Sequence, residues 1–387
     1  MFSIEEQIKV WKKVTALPEL LNTVANMNEV GVSEISKLRK TCSAEEVRVA
    51  IELVKARKSA AKRLDNAESI VSDVESVQQS SSSAVAKWKA KRFVHCSSIV
   101  DMCCGIGGDL LYLPDHAIGV EIDPLRCWMA KQNTGKKIVC EDARTFSELK
   151  TASILLDPSR RDSKGRRLDV EQMLPNISEV ETICSRVTGG CVKLSPAINL
   201  EDIAGIGKKR EVEYIEDRGK VTQGIVWFDS LAAKNVETTA SSITSGKTIS
   251  GVIKTPRVIG EIGPWLFEPN PALERAKLHG TLGCELELWE PAFGLGLLCG
   301  NKKIQSTWFT SFEVLETTSL RLEKVAASLR NQHAGEVEVK TRGGVVDPNI
   351  WQIKLQKPAS DSNKRLTVFA LRLGKKRIAL ITRRVTQ

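Results

Sequence analysis

The stretch at residues 99–109, IVDMCCGIGGD, combines carboxylates, thiols and glycines in an order suited to ligand binding. An apolar run ends in Asp101 and leads into a turn that contains Gly105 and Gly107, after which residues 110–113 are apolar again. Glycine permits positive φ angles and leaves no Cβ in the way of a ligand, and a helix start offers free N–H groups. The pattern predicts a strand, a tight turn and the start of a helix around a planar or anionic ligand.

Three further apolar runs end in residues that could do chemistry. The run at 117–123 closes on Glu121 and Asp123, the run at 137–143 on Asp142 and Ala143, and the run beginning at 152 on Asp157 and Pro158. Because the carboxyl ends of parallel strands meet at one edge of an open α/β sheet, we expect these side chains to share that edge with Asp101.

The residues before this region, 1–92, have the pattern of amphipathic helices. Ser43 and Glu46 form a capping box ahead of a helix predicted over 47–64. A serine run at 80–83 caps a further predicted helix. We interpret this domain as a structural bundle that covers one edge of the sheet, in preference to a separate activity.

Residues 93–229 form the predicted sheet domain. A helix is expected over 173–187, a fifth strand over 190–196, and a hairpin over 211–228 that turns at the Arg-Gly-Lys of 218–220. Residues 230–262, rich in Ser, Thr and Gly, predict a linker, an insertion or a loosely structured crossover.

The C-terminal part of the chain holds the excess of positive charge. Residues 263–309 form a connecting segment, and residues 310–387 alternate strands and helices as a small α+β unit. The formal net charge of the 387 residues is +10, and from Arg321 to Gln387 there are 15 basic and 5 acidic residues. The residues before Arg321 therefore balance, and the basic end predicts a module that meets phosphates.

Composition argues against a membrane-spanning, zinc-binding or disulfide-rich protein. Hydrophobic residues make up 42% of the chain and charged residues 27%, which is typical of a globular protein, and no apolar run reaches the ~18 residues of a membrane span. Ten cysteines without a Cys-x-x-Cys pair, together with four histidines, argue against a zinc site or a disulfide framework. We expect no metal, no membrane and a reducing, cytoplasmic environment.

The order of glycine turn, acid, Asp-Ala and Asp-Pro resembles the class I S-adenosylmethionine-dependent methyltransferases. The turn from Asp101 is similar to their Asp-x-Gly-Cys-Gly-x-Gly pattern, with Cys103 in place of a glycine, and Leu110 stands where a dinucleotide site has its third glycine. The resemblance implies an α/β fold, a doubly wound Rossmann-like methyltransferase sheet with an N-terminal helical domain and a C-terminal α+β domain.

The resemblance also implies roles for single residues toward S-adenosylmethionine. Asp101 would hold the loop or the amino group, and the turn residues Cys103, Gly105 and Gly107 would approach the methionine part. The ribose would bind at Glu121 and Asp123, and adenine at Asp142 and Ala143. Acidic residues are also common at the solvated ends of strands. The alternative for Glu121 and Asp123 is therefore a solvated strand end that binds no ligand.

The segment Asp157-Pro158-Ser159-Arg160 corresponds to the catalytic loop of the family. It resembles the Asp-Pro-Pro loops of amino methyltransferases but lacks their aromatic residue, and it is similar to the Asp-Pro-Pro-Arg of RNA uracil-C5 enzymes. Those enzymes need a cysteine at the end of the fifth strand, where this chain has Lys193-Leu-Ser-Pro196. A nitrogen or oxygen acceptor, with Asp157 as orienter or base, is therefore favoured.

Two basic segments are the candidate substrate contacts. Beside the catalytic loop these are Arg161, Lys164, Arg166 and Arg167, for which the alternative is a solvated loop paired with nearby aspartates. Residues 310–387 resemble the THUMP-like domain that follows a methyltransferase domain in a bacterial family, and 267–273 resembles the ferredoxin-like segment before it. This resemblance implies RNA, either tRNA or rRNA, as the partner. It also makes Lys375, Lys376 and Arg377 the second set of candidate substrate contacts. A protein or small-molecule substrate, or a non-catalytic RNA-binding role, are the alternatives.

Overall fold

The structure is a computed structural model that describes residues 3–27, 31–149, 151–159, 161–162, 165–166, 173–197, 199–356 and 363–385. The chain forms two compact units. Unit 1 comprises residues 1–212 and 223–234, and unit 2 comprises residues 213–222 and 235–387. The five segments drawn from the sequence stay predictions as independent domains. Within the described residues, no helix has the length and apolarity needed to cross a membrane.

Unit 1 combines a helical N-terminal part with a mostly parallel sheet. Its helices are α1 (Ile4–Thr15), α2 (Pro18–Ala25), α3 (Val32–Leu38), α4 (Ala44–Ala60), α5 (Val74–Gln79), α6 (Ser83–Ala90), α7 (Pro124–Thr134) and α8 (Ile177–Cys184). Its strands are β1 (Ile99–Met102), β2 (Ile118–Glu121), β3 (Ile138–Cys140), β4 (Ser153–Leu156), β5 (Arg161–Asp162), β6 (Gly165–Arg166) and β7 (Gly189–Leu194). The hairpin of β8 (Arg210–Asp217) and β9 (Lys220–Asp229) follows, and its central residues 213–222 belong to unit 2.

Seven neighbouring strands of a nine-stranded sheet follow the order β8, β9, β7, β4, β1, β2, β3. Strands β1, β2, β3, β4 and β7 are parallel to one another, and β9 runs antiparallel to β7. Strands β1 and β4 are buried along their whole length, as expected for a sheet covered on both faces. The α/β fold class and the hairpin predicted after the fifth strand are confirmed.

The N-terminal helices owe their positions to local capping and to a shared core. Ser43 accepts from the backbone of Glu46, whose side chain accepts in return, so the predicted capping box is present. Ser82, within the predicted serine cap, accepts from Val85 N at the start of α6. The buried faces of these helices pack with Ile106 and Met129, which belong to the turn after β1 and to α7. The bundle therefore packs on the glycine turn.

The helix predicted directly after the glycine turn is wrong. Residues Leu110–Tyr112 form a single 3₁₀ turn, and the chain enters β2 at Ile118. Pro114 disfavours an α conformation at Leu113, and too few residues remain before β2 for an α-helix. The turn therefore offers glycine backbone to a ligand without the end of a long helix behind it.

Unit 2 contains a second mixed sheet. Its strands are β10 (Thr238–Ser242), β11 (Lys247–Gly251), β12 (Arg257–Val258), β13 (Trp265–Pro269), β14 (Trp289–Glu290), β15 (Leu298–Gly300), β16 (Phe309–Ser319), β17 (Glu336–Arg342), β18 (Arg365–Leu373) and β19 (Lys376–Val385). Its helices are α9 (Pro271–Arg275), α10 (His279–Glu285), α11 (Leu322–Asn331) and α12 (Pro348–Gln356). Eight of these strands form the second sheet in the order β12, β14, β15, β13, β16, β19, β18, β17, whereas β10 and β11 belong to the nine-stranded sheet, with β10 next to β8.

The loosely structured crossover predicted at 230–262 is wrong, because β10 and β11 pair there as an antiparallel hairpin. The strand β10 is polar yet fully buried. Its Ser241 and Ser242 hydroxyls donate to the carboxylates of Glu213 and Glu216 within unit 2. Hydrogen bonds to buried acids stabilise this strand in place of apolar contacts, so no hydrophobic alternation marks it in the sequence.

The last part of unit 2 is the α+β arrangement that the sequence predicts. Helices α11 and α12 pack their apolar sides with β17, β18 and β19 around Val325, Leu329 and Leu355. Strands β18 and β19 form a hairpin, and β17 joins it in parallel beside β18. The basic residues of the C-terminus therefore lie on a well-packed frame.

Candidate active site

Strand register brings the reactive residues together at the carboxyl edge of the unit 1 sheet. Asp101 in β1 pairs with Leu155 in β4, and Met102 pairs with Leu156, so Asp157 comes directly after the last paired residue of β4. The N–H of Asp157 donates to Met102 O over 3.2 Å. Leu156 pairs with Val192 in β7, which places Asp157 and Lys193 at adjacent register positions. The ends of β1, β4 and β7 therefore meet at one edge of the sheet, and ligand binding at this edge stays a prediction.

Glu121 connects the second strand to the glycine turn. Its buried carboxylate accepts from Gly105 N at 2.9 Å through Oε2, and from Ile122 N and Asp123 N at 3.0 Å through Oε1. Three backbone donors fix this side chain beside the turn. Each oxygen retains acceptor capacity for a further donor such as a hydroxyl.

The turn itself depends on left-handed backbone. Cys103, Gly105 and Gly107 have φ angles of 60°, 55° and 83°. A Cβ on Gly105 would meet nothing within 4 Å, whereas one on Gly107 would approach Thr134 Cγ2 to 2.6 Å. Gly107 is thus needed for packing against α7, while Gly105 leaves open space. Cys103 adopts a left-handed conformation that favours glycine. A cysteine at this position, where the methyltransferase pattern has glycine, therefore strains the backbone.

Asp101 is buried without a hydrogen-bond partner. Its side chain is 1% exposed, and neither carboxylate oxygen accepts a hydrogen bond from the described part of the chain. Burial, together with the nearby Asp109 carboxylate, raises its pKa well above the ordinary value. An unpartnered buried carboxylate is costly, and a cationic donor bound there would remove the cost.

A buried polar network from the N-terminal helices lies beside Asp101. Lys89 of α6 is 0% exposed, and its ammonium donates to Asp109 Oδ2 at 2.6 Å and to Ser81 Oγ at 3.0 Å. Ser81 in turn donates to Asp109 and accepts from Gln223 Nε2 of β9. Burial opposes the charge on Lys89, but the nearby acidic groups, Asp109 foremost, together outweigh it and raise the pKa of this lysine. Burial also opposes the charge on Asp109, but Lys89, Lys193 and the hydrogen bonds from Lys89 and Ser81 together lower the pKa of that carboxyl.

Lys193 forms the second ion pair of the site. Its Nζ lies 2.5 Å from Asp157 Oδ2 and 3.5 Å from Gln79 O at the end of α5. The lysine side chain is 6% exposed and that of Asp157 26%, so the carboxylate is the more open of the two. Four residues of this site are not predicted from the sequence: Lys193, Lys89, Asp109 and Gln223. A signal existed for Lys193, since it stands near the carboxyl end of a strand next to that of Asp157.

Two predicted cofactor residues have structural partners. Asp142 accepts from the guanidinium and the backbone N–H of Arg144, and these hydrogen bonds lower its pKa. An adenine amino group at Asp142 would compete with Arg144. Asp123 caps α7 by accepting from Leu125 N and Arg126 N. Roles of both residues toward a cofactor, and that of the neighbouring buried Ala143, stay predictions.

The predicted acceptor loop is described only in part. Pro158 is buried, and Ser159 is exposed with its backbone paired to Leu174. Arg160, Lys164 and Arg167 lie outside the described residues, and of Arg161 and Arg166 the structure describes only the backbone, which pairs as β5 and β6. Their predicted phosphate contacts stay predictions. Across the residues that the structure does describe, no group of His, Cys, Asp and Glu is placed to hold a metal ion.

The fold is that of the methyltransferase structure to which this chain is similar, its sequence is similar to S-adenosylmethionine-dependent methyltransferases, and its C-terminal domain is THUMP-like. Residues 309–384 match the THUMP domain-like family. The chain is 27% identical over 317 residues to two Mycobacterium tuberculosis proteins, each described as an uncharacterized S-adenosylmethionine-dependent methyltransferase. The match spans 80% of this chain and 86% of theirs. A crystal structure from Porphyromonas gingivalis, described as that of a candidate methyltransferase, covers 100% of both chains at a TM-score of 0.73 and 16% identity, which supports the fold.

The residues at the edge fit the cofactor of this class. Counted as ionised, Asp101, Asp109 and Asp157 carry one charge more than Lys89 and Lys193 offset. S-adenosylmethionine has an ammonium, a carboxylate and a sulfonium, and so a net positive charge. Its ammonium suits the unpartnered Asp101 carboxylate, and the open space above Gly105 suits a ligand that approaches backbone closely.

We expect Gly105→Ala to separate folding from cofactor binding. A left-handed alanine costs roughly 1–2 kcal/mol of stability, and the new Cβ meets no protein atom. A cofactor in the open space would meet it, so the affinity for S-adenosylmethionine should fall at least about 10-fold in calorimetry. Gly135→Ala is the matched control, because its Cβ would also meet nothing at a φ of 69°. Equal affinities of the two variants would show that no ligand occupies the space above Gly105.

Proposed function

We propose that this methyltransferase modifies RNA, either tRNA or rRNA, at a nitrogen or oxygen acceptor, in the cytoplasm. In this proposal Asp101, Cys103, Gly105 and Gly107 line the methionine part of the cofactor, and Glu121, Asp123, Asp142 and Ala143 its adenosine. The Asp157–Arg160 loop receives the acceptor, and basic residues of both units hold the RNA backbone.

The bound cofactor would supply an electrophilic methyl group on a sulfonium. The chain then has to bring the acceptor atom in line with that methyl and accept a proton from it. Asp157 suits both tasks, because it is fixed by Lys193 through Oδ2 while its Oδ1 accepts from no residue that the structure describes. Buried neighbours on β4 and β7 keep this carboxylate in place.

The observation that carries RNA as substrate is a basic hairpin tip in unit 2, residues 372–377. Arg372 pairs in register with Arg377, and Leu373 with Lys376, across the turn at Gly374. The basic residues of the tip, Arg372, Lys375, Lys376 and Arg377, are exposed, and within the described residues none forms an ion pair. Uncompensated cations on a rigid hairpin suit phosphate contacts.

Labelled methyl transfer tests the proposal. The full-length protein is incubated with S-adenosylmethionine labelled in its methyl group and with total RNA, protein or small-molecule extracts from a strain that lacks the gene. We expect label in RNA alone. Label in the protein or small-molecule fraction only would favour the alternative substrates, and no transfer to any fraction would favour a non-catalytic binding protein.

We expect the hairpin tip to control the salt dependence of RNA binding. Changing Lys375, Lys376 and Arg377 together to Ala should weaken binding at least about 10-fold and lower the slope of log affinity against log salt by about 2–3. The matched control changes Lys37, Arg39 and Lys40 to Ala, which removes the same charge from exposed positions of unit 1. If both triple variants lose affinity equally, net charge and not the tip governs binding.

A further inference from the structure

Asp157 and Lys193 present an acceptor and a donor side by side at the place to which the proposed function assigns the methyl acceptor. The 2.5 Å contact uses one oxygen of Asp157 and one N–H of Lys193. The second contact of the ammonium, to Gln79 O, is long at 3.5 Å. In the described part of the chain no other hydrogen-bond partner of either group is present, so each has capacity left for a substrate atom.

We infer that the methyl acceptor is a hydroxyl oxygen, which in RNA means a ribose hydroxyl. This inference rests on the proposed function. A hydroxyl both donates and accepts, so it can give its proton to Asp157 Oδ1 while accepting from Lys193 Nζ. The pair therefore matches both sides of one hydroxyl group.

A nucleobase satisfies the pair only through two neighbouring atoms. The amino N–H of cytosine, for example, can donate to Asp157 while the adjacent ring nitrogen accepts from Lys193, so only one of the two contacts falls on the reacting nitrogen. A hydroxyl brings both contacts to the reacting atom itself, where Asp157 can take the proton and Lys193 can orient the oxygen. We therefore favour a hydroxyl oxygen over a base nitrogen.

The reaction balances with the residues named. The hydroxyl oxygen forms a bond to the methyl carbon as the carbon–sulfur bond breaks, and the electron pair of that bond stays on sulfur. The hydroxyl proton passes to the Asp157 carboxylate and from there to solvent. The products are the methyl ether of the ribose and neutral S-adenosylhomocysteine. Lys193 keeps its charge throughout and orients the oxygen.

The position of the methyl group in labelled RNA tests this inference. A 2′-O-methyl group blocks alkaline cleavage of the adjacent phosphodiester, so label introduced by the wild-type protein should appear in alkali-resistant dinucleotides. Label in ordinary mononucleotides would place the methyl on a base, which overturns the hydroxyl inference and leaves RNA methylation standing. No label in RNA would overturn the proposed function, and this inference with it.

Substitution of Lys193 gives a second readout. We expect Lys193→Met to lower kcat about 100-fold or more, with the affinity for S-adenosylmethionine within about threefold of wild type, whereas Lys193→Arg should keep a measurable part of the rate. An unchanged kcat in Lys193→Met would overturn the role of the lysine. Because Lys193 is buried, thermal unfolding of each variant is measured first, and the wild-type product analysis decides the acceptor even if a variant does not fold.

Discussion

Asp101→Asn is expected to abolish tight cofactor binding while making the free protein more stable. The buried carboxylate has no hydrogen-bond partner in the described residues, so only a bound cation would stabilise its ionised form through a direct contact. Loss of a charge-assisted hydrogen bond of about 1.5–3 kcal/mol corresponds to a roughly 10- to 150-fold weaker affinity in calorimetry. The free energy of unfolding at pH 7 should rise by about 1 kcal/mol or more, since asparagine removes the cost of burying a carboxyl that must either stay charged or take up a proton on folding.

The product S-adenosylhomocysteine sharpens this experiment, because it retains the ammonium and lacks the sulfonium. A contact between Asp101 and the ammonium predicts equal losses for both ligands. Asp115→Asn, which neutralises an exposed carboxylate of the same unit, serves as the control and should leave affinity and stability unchanged. Tight binding by Asp101→Asn would disprove the assignment of this residue to the cofactor.

The same carboxyl predicts a pH dependence. Its pKa in the folded protein lies well above the ordinary value of about 3.9, so between these two values the folded state holds a proton that the unfolded state has lost. The contribution of Asp101 to stability therefore becomes less favourable as pH rises through this window. Asp101→Asn should remove that part of the slope, which thermal unfolding across a pH series measures.

Lys89→Met is expected to have the largest effect on stability. It would leave the Asp109 carboxylate buried without its cation, at a cost of about 3–5 kcal/mol in the free energy of unfolding. Denaturant titration of the variant measures the loss. The double variant Lys89→Met/Asp109→Asn should recover most of it, because both charges are then absent.

Lys87 offers a matched control two residues earlier on the same helix. It also lies 2.5 Å from an aspartate, Asp65, but both side chains are more than half exposed. Lys87→Met should therefore change the free energy of unfolding far less than Lys89→Met, because solvent screens an exposed ion pair. Equal losses for Lys87→Met and Lys89→Met would mean that burial of the Lys89–Asp109 pair contributes nothing special.

Much of the site could be predicted because it lies where strands end. The glycine turn and the acids Glu121, Asp142 and Asp157 each follow an apolar run, and parallel strands in an α/β sheet bring such residues to one edge. The C-terminal strands and helices were also predictable from their hydrophobic alternation. The polar strand β10 was not, since its hydroxyls are buried against Glu213 and Glu216 and leave no apolar pattern.

The sequence alone determined the order of acids and glycines, the class of fold, and the concentration of net charge at the C-terminal end. Only the tertiary structure decided which charges meet. Lys89 and Ser81 lie in the helical segment before β1, 20 and 28 residues from Asp109, and packing of that segment on the glycine turn brings them to this carboxylate. Lys193 meets Asp157 because β7 and β4 are neighbours in one register. Burial and register are properties of the folded chain, and they turn separate residues into ion pairs.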